Sequence, residues 1–342
     1  MQSQDKRVVI LGTGGTIAGR AASATDNVGY SAGQISVAAL IAAVPPLAGQ
    51  LIEAEQVAQV DSKDMDAVVW QHLVARAAHH LARDDVAAVV VTHGTDTLEE
   101  TAWLLHRVLA PNKPLVLTAA MRPASSLQAD GPQNLLDALA VARSAGVAGV
   151  VVVMAGRVWA AQGLRKADVY RLDAFSGDEL ARVEEGAVRI LRPWPLPEAP
   201  LGAAVLELPS ALWPRVAWLT SHAGFDAALV DAAVAGGYAG LLVAGTGNGS
   251  LHHALEAALL RAQAAGVTVR RSTRCASAVL VGALPSDIAA STAVGPAQGR
   301  IELLLELLQR RRVATPASSM AESASTSECG SGTEANPSMR AV

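Results

Sequence analysis

Two glycine-punctuated runs of hydroxyl residues offer places where backbone amides and side-chain hydroxyls can meet a ligand. The first, Gly12-Thr13-Gly14-Gly15-Thr16-Ile17-Ala18-Gly19, follows the apolar Val8-Val9-Ile10-Leu11 directly. Glycines at a strand's carboxyl end free backbone amides to face a ligand. The second, Thr92-His93-Gly94-Thr95-Asp96-Thr97-Leu98-Glu99-Glu100-Thr101, begins where an apolar run ends and a helical pattern starts. A cluster of hydroxyls and a carboxylate thus falls at strand ends, where open α/β sheets commonly place their sites.

Simpler readings compete for each run. The dinucleotide fingerprint starting at Gly12 requires glycine where Ile17 stands, and no Gly-Lys-Ser/Thr ending is present. A glycine turn after a first strand also serves close packing of strand on helix. Thr97 and Glu100 have capping-box spacing, and Asp96 suits a helix N-terminus. Capping leaves Thr95 and His93 unexplained, however, and an ionised Asp96 is also a ready receptor for a substrate ammonium. In Asp61-Ser62-Lys63-Asp64-Met65-Asp66, the residues Ser62, Asp64 and Asp66 read individually as caps of the following helix. The pairs His79-His80 and His252-His253 point in different directions on a helix, form no HExxH pattern, and are expected at the surface. With two cysteines, Cys275 and Cys329, neither a disulfide framework nor a Cys-rich metal site is available.

The elements that must position these residues alternate. Val8–Leu11, Val86–Val91, Leu115–Leu117 and Val147–Val153 read as strands, separated by helix-like Met65–Ala82, Leu98–Leu109 and Asn134–Ala142. Such alternation predicts an α/β fold on a mostly parallel sheet. Pro193, Pro195, Pro197, Pro200, Pro209 and Pro214 mark residues 191–214 as a linker between a larger domain over 1–190 and a smaller α/β domain over 215–313. Val216–Leu219, Leu241–Ala244, Val267–Val269 and the terminal helix Ile301–Leu308 carry the rhythm of that second domain. Residues 314–342 contain no aromatic side chain and too little apolar area to offset the entropy of ordering, so a disordered tail is expected.

Composition narrows the function classes. The net charge is −4 and the basic residues form no block, which makes nucleic acid a poor partner. The longest apolar stretch, Gly146 to Gly156, ends at Arg157 and is short of the ~20 residues of a membrane span. Asp5, Lys6 and Arg7 precede the first strand without an apolar signal region, so a soluble, cytoplasmic protein is expected.

Taken together, these segments resemble the bacterial-type L-asparaginase family of asparaginase/glutaminase amidohydrolases. The resemblance runs from about Arg7 to Leu308. It rests on Gly12–Gly19, on Thr92–Thr101, on Ala119-Ala120-Met121-Arg122-Pro123 with Asp130-Gly131-Pro132, and on Gly245-Thr246-Gly247-Asn248-Gly249. It implies a larger N-terminal parallel-sheet α/β domain, a smaller flavodoxin-like one, and a homotetramer, a dimer of dimers with sites at subunit interfaces. No cofactor and no metal are implied.

The resemblance also implies roles. Thr16 is the nucleophile, assisted by Tyr30; Thr95, Asp96 and Lys166 form a second cluster; Ser62 holds the substrate's α-carboxylate. Gly15, Ser62, Lys63, Thr95, Asp96, Ala120 and Asn248 are the implied substrate-binding positions. Either Tyr30 or the Lys166–Thr95 pair must take the hydroxyl proton, and Lys166 acts as a base only if its site depresses its pKa. Lys63 departs from the neutral polar residue of many relatives; it reads equally as a solvated lysine or as an electrostatic lure for the α-carboxylate. Ser250 replaces a frequent asparagine, and Cys275–Gly295 lacks a clear glutamate, with Asp287 a loose substitute. Preference for asparagine over glutamine is the expectation that follows. A broad glutaminase-asparaginase, a transfer-RNA amidase subunit, an inactive amino-acid sensor and a nucleotide-binding oxidoreductase are the alternatives.

Overall fold

The computed structural model describes residues 6–195, 199–275, 279–282 and 286–314. The stretch 315–342, most of the expected tail, lies outside the described residues. β1 (Arg7–Gly14) opens the fold, followed by β2 (Arg20–Ala21), β3 (Tyr30–Ser31), α1 (Val37–Ala42) and β4 (Ile52–Val60). Next come α2 (Ala67–Ala82), β5 (Val86–Thr92), α3 (Leu98–Leu109), β6 (Pro114–Thr118), α4 (Gly131–Arg143) and β7 (Gly149–Met154). The alternation then stops, and β8 (Arg157–Ala160), β9 (Arg165–Lys166), β10 (Phe175–Ser176), β11 (Glu179–Glu184) and β12 (Ala187–Ile190) follow without a helix.

One eight-stranded sheet results, in the order β12-β11-β8-β7-β6-β5-β1-β4. The five strands β4, β1, β5, β6 and β7 pair in parallel; β8, β11 and β12 add an antiparallel extension. The central strands are covered on both faces, which is why their sequences are continuously apolar. Side chains still part by the two-residue period: Val9, Leu11, Val89 and Val91 enter one cluster with α2 and α3, whereas Val8, Ile10, Ala88 and Val90 enter the other with α4.

The second sheet is β13 (Val216–Thr220), β14 (Gly240–Gly245) and β15 (Thr268–Thr273), all parallel. α5 (Ala228–Ala235) and α6 (His253–Ala264) cover one face. α7 (Pro296–Ala314) covers the other through Leu303 and Leu307 against Leu242. The fold is therefore a large parallel-sheet α/β domain joined to a smaller parallel α/β domain, as the sequence predicts. α7 begins five residues ahead of the Ile301 expected from apolar periodicity and continues beyond Leu308. Its first turn is built of small and polar residues that hydrophobic spacing does not mark.

Residues 201–208 of the proline-rich stretch pack against the larger domain. Val205 and Leu206 are buried in the large core, the Gln71 amide donates to the carbonyls of Leu206 and Leu208, and Leu201 N–H donates to Arg107 O at 3.0 Å. Two ion pairs tie α7 back to α3: Arg107 to Glu302 at 3.0 Å, and Arg300 to Glu100. Among the described residues, no helix is long and apolar enough to cross a membrane.

The surface expectation for the paired histidines holds for His79 and fails for His80. The His80 side chain is 2% exposed, with Nε2 2.6 Å from the Glu55 carboxylate on β4. A residue in the last turn of α2 faces the sheet here, and its polarity is satisfied by a strand residue that no local pattern points to.

Candidate active site

The two threonine runs meet because their strands are neighbours. β1 and β5 pair in parallel, so both turns leave the same carboxyl edge. The Thr13 hydroxyl donates to Thr92 O at 3.0 Å, and Gly15 N–H to Val60 O at 2.8 Å, which adds the end of β4. Gly15 has φ 79°, and a Cβ there would lie 2.3 Å from Gly94 Cα. Only glycine permits this backbone approach. Gly94 is equally constrained, since a Cβ on it would meet Ser62 Oγ at 2.5 Å.

Thr16 lies in the single 3-10 turn Thr16–Ala18 and is 6% exposed. Its hydroxyl is 2.6 Å from that of Tyr30, brought over by the β2–β3 hairpin. Ala120 is fully buried beneath this turn against Ile17 and Ala18, so its methyl is a packing group. Asp130 supports the same region, accepting from Met121 N–H at 3.0 Å and Arg122 N–H at 2.9 Å.

On the second turn, Thr95 is buried and Lys166 Nζ lies 2.8 Å from its Oγ1 and 2.5 Å from Asp96 Oδ1. Lys166 comes from β9, held by antiparallel pairing with Phe175 of β10. The Asp96 side chain is half exposed, leaving its carboxylate open to solvent on one side. Ser62 is 3% exposed and is no helix cap: its Oγ accepts from Asp96 N–H at 3.1 Å, and its carbonyl accepts from the Thr97 hydroxyl at 2.7 Å. The capping box expected from Thr97 and Glu100 accordingly does not form, because Thr97 turns to Ser62 and Glu100 to Arg300. The helix-capping expectation holds at Asp66, which accepts from Val69 N–H at 2.9 Å.

His93 is fully buried. Its Nδ1 lies 2.7 Å from Gly94 O, so Nδ1 carries the proton and donates, while buried Nε2 has no partner among the described residues. Burial pushes its pKa down to about 4 and keeps the ring neutral. Lys63 has its ammonium 2.6 Å from Asp61 and 3.2 Å from Asp64, so that charge is already engaged at an exposed site. Asn248 belongs to the second domain, where its side-chain Nδ2 donates to Val281 O at 2.7 Å and its Oδ1 accepts from Val281 N–H at 2.8 Å.

One participant is absent from the expected set. Glu99, in the first turn of α3, accepts from Lys166 N–H at 2.7 Å, and burial raises its carboxyl to about 7. Its signal in the sequence is faint, because an acidic residue in a first helical turn has an ordinary role there.

The protein is thus a two-domain α/β chain with paired hydroxyl clusters at the carboxyl edge of its larger sheet. Residues 7–195 match the family described as asparaginase, N-terminal, and residues 215–310 match the glutaminase/asparaginase C-terminal domain. The chain belongs to the asparaginase family. It is 37% identical to L-asparaginase 2 of Bacillus subtilis, covering 87% of this chain and 81% of that one. It is 36% identical to the glutaminase-asparaginase of Pseudomonas aeruginosa, covering 80% and 76%. Among solved structures it resembles a probable cytoplasmic L-asparaginase from Campylobacter jejuni, with TM-score 0.83 and 33% identity over 92% of this chain and 97% of that one.

Proposed function

We propose that the chain is an L-asparaginase that hydrolyses the side-chain amide of L-asparagine to L-aspartate and ammonia, with glutamine the poorer substrate. The observation that carries this is the pairing of two hydroxyl clusters on touching turns: Thr16 with Tyr30 at 2.6 Å, and Thr95 with Lys166 at 2.8 Å beside Asp96. In the proposed sequence Thr16 Oγ1 attacks the amide carbon and its proton passes to Tyr30 or to the Lys166–Thr95 pair. The oxyanion is held by Thr95 N–H. As the intermediate collapses, the amide nitrogen takes that proton, the C–N bond breaks and ammonia leaves. Water then cleaves the acyl-enzyme ester to give aspartate and regenerate the hydroxyl. Asp96 receives the substrate ammonium, and Ser62 the α-carboxylate.

The same reading includes a cytoplasmic homotetramer, a dimer of dimers with sites at subunit interfaces, and a division of the chain into 1–190, 191–214 and 215–313. Asn248 would then serve a neighbouring subunit's site or hold the loop that does.

The test is ammonia release from asparagine and glutamine in parallel, with Thr16→Ala and Thr95→Ala as controls. The expected result is release from asparagine at least about tenfold faster than from glutamine, with each variant at least ~100-fold slower. Equal rates on both amides would favour a glutaminase-asparaginase, the name carried by the Pseudomonas aeruginosa relative. No release from either would leave an amino-acid sensor.

A further inference from the structure

We propose that Glu99 is a positioning residue that clamps the backbone of Lys166 and so holds the Lys166 ammonium against Thr95. This rests on the reading above, in which the Lys166–Thr95 pair serves the reaction. β9 is only two residues long, and its pairing with β10 is a two-residue antiparallel contact. That alone is a weak anchor for a residue whose Nζ must stay within 2.8 Å of a hydroxyl 71 positions away in sequence. Glu99 supplies the missing restraint. Its Oε2 accepts from Lys166 N–H at 2.7 Å, across 67 positions, and α3 fixes Glu99 three residues beyond Asp96. Asp96 and Glu99 thus hold the two ends of one lysine, the first its ammonium and the second its main chain.

Two of the three charged groups that act on Glu99 are engaged elsewhere. Glu100, its neighbour on α3, pairs with Arg300 of α7; the Lys166 ammonium goes to Asp96; Arg165 on β9 acts on Glu99 only at longer range. Glu99 is half-buried and lines a pocket together with Gly163, Leu164, Arg165, Pro296 and Gln298. With its pKa raised by burial to about 7, it passes from acid to carboxylate within the working range. A carboxylate accepts more strongly than a carboxylic acid, so the clamp tightens as pH rises through neutrality.

The experiment combines kinetics with a signal independent of activity. The chain has four lysines, Lys6, Lys63, Lys113 and Lys166, so selective 15N-lysine labelling of the full-length protein gives a short spectrum, with Lys166 assigned by its loss in Lys166→Arg. In wild type the Lys166 amide should titrate near pH 7, and in Glu99→Gln it should not. Glu99→Ala should lower kcat on the order of 10-fold to 100-fold with KM changed less than about threefold. Glu99→Gln, which keeps an acceptor, should recover most of that loss at pH 8 but lose the wild-type rise in kcat between pH 6 and 8. A Lys166 amide that does not titrate, or titrates equally in Glu99→Gln, overturns the proposal, as does an unchanged kcat and pH profile in Glu99→Ala. Should wild type release no ammonia, the functional reading fails and the amide titration still decides the clamp.

Discussion

At the scale of single residues, the glycines are as decisive as the hydroxyls. Gly15 and Gly94 have no side chains, and their backbone contact sets how far apart the two threonine clusters stand. Gly15→Ala must both accept a left-handed φ and push Cβ against Gly94 Cα at 2.3 Å. The expected cost is about 2–4 kcal/mol of stability, together with loss of nearly all activity. Urea denaturation measures the first; a loss below about 1 kcal/mol would mean that the turns part easily. Thr16, Thr95 and Asp96 are legible as candidates from residue type and position alone. Lys166 is not: Leu164-Arg165-Lys166-Ala167 contains nothing that separates it from a surface lysine, and its importance arises only when β9 is laid against the turn after β5. Glu99 is hidden for a related reason, since its partner is a main-chain N–H and no side-chain pattern records it.

At the scale of elements, the apolar central strands and the long amphipathic helices are readable, whereas the sheet's margins are not. β4 reads Ile-Glu-Ala-Glu-Gln-Val-Ala-Gln-Val, a half-buried edge strand without the apolar density of β5. β8, β11 and β12 are short and carry Arg157, Glu179, Arg182 and Glu184, so their antiparallel pairing is invisible before the fold brings them together. The β4 margin is fastened to α2 by charge. Glu55 receives two hydrogen bonds from Arg76, at 2.5 and 3.0 Å, and contacts buried His80 at 2.6 Å. The Arg76 guanidinium first, and His80 after it, bring the Glu55 carboxyl from its ordinary 4.5 down to about 2. A lowered folded-state pKa contributes stability that is complete above the unfolded value and disappears as pH falls from about 4.5 towards 2. Glu55→Gln should therefore lower Tm at pH 7 and flatten its decline between pH 5 and 2, as followed by calorimetry across that range. A parallel decline in both proteins would show that this carboxylate is not part of the acid response.

At the scale of the whole molecule, two domains share one helix. α7 lies on the second sheet through Leu303 and Leu307, while Ile301, Leu304, Leu305 and Leu308 enter the core of the first domain. Arg300 and Glu302 then reach Glu100 and Arg107 on α3. Unfolding of wild type should accordingly be one calorimetric transition. The double variant Arg300→Ala, Glu302→Ala should lower Tm by several degrees and broaden or split that transition, because half-buried ion pairs at a joint cost more to break than exposed ones. A sharp, unshifted peak would assign the coupling to the apolar contacts alone. The meeting of the two hydroxyl turns has a bearing on time as well as geometry. Thr13 and Thr92 are 79 positions apart, so the pocket cannot exist until the first strand and the fifth have found each other. Long-range closures of this kind come late in folding. During refolding, recovery of secondary structure should run ahead of recovery of turnover, and a chain still being made would be chemically silent at least until β9 and β10 had been added and Lys166 had reached Thr95.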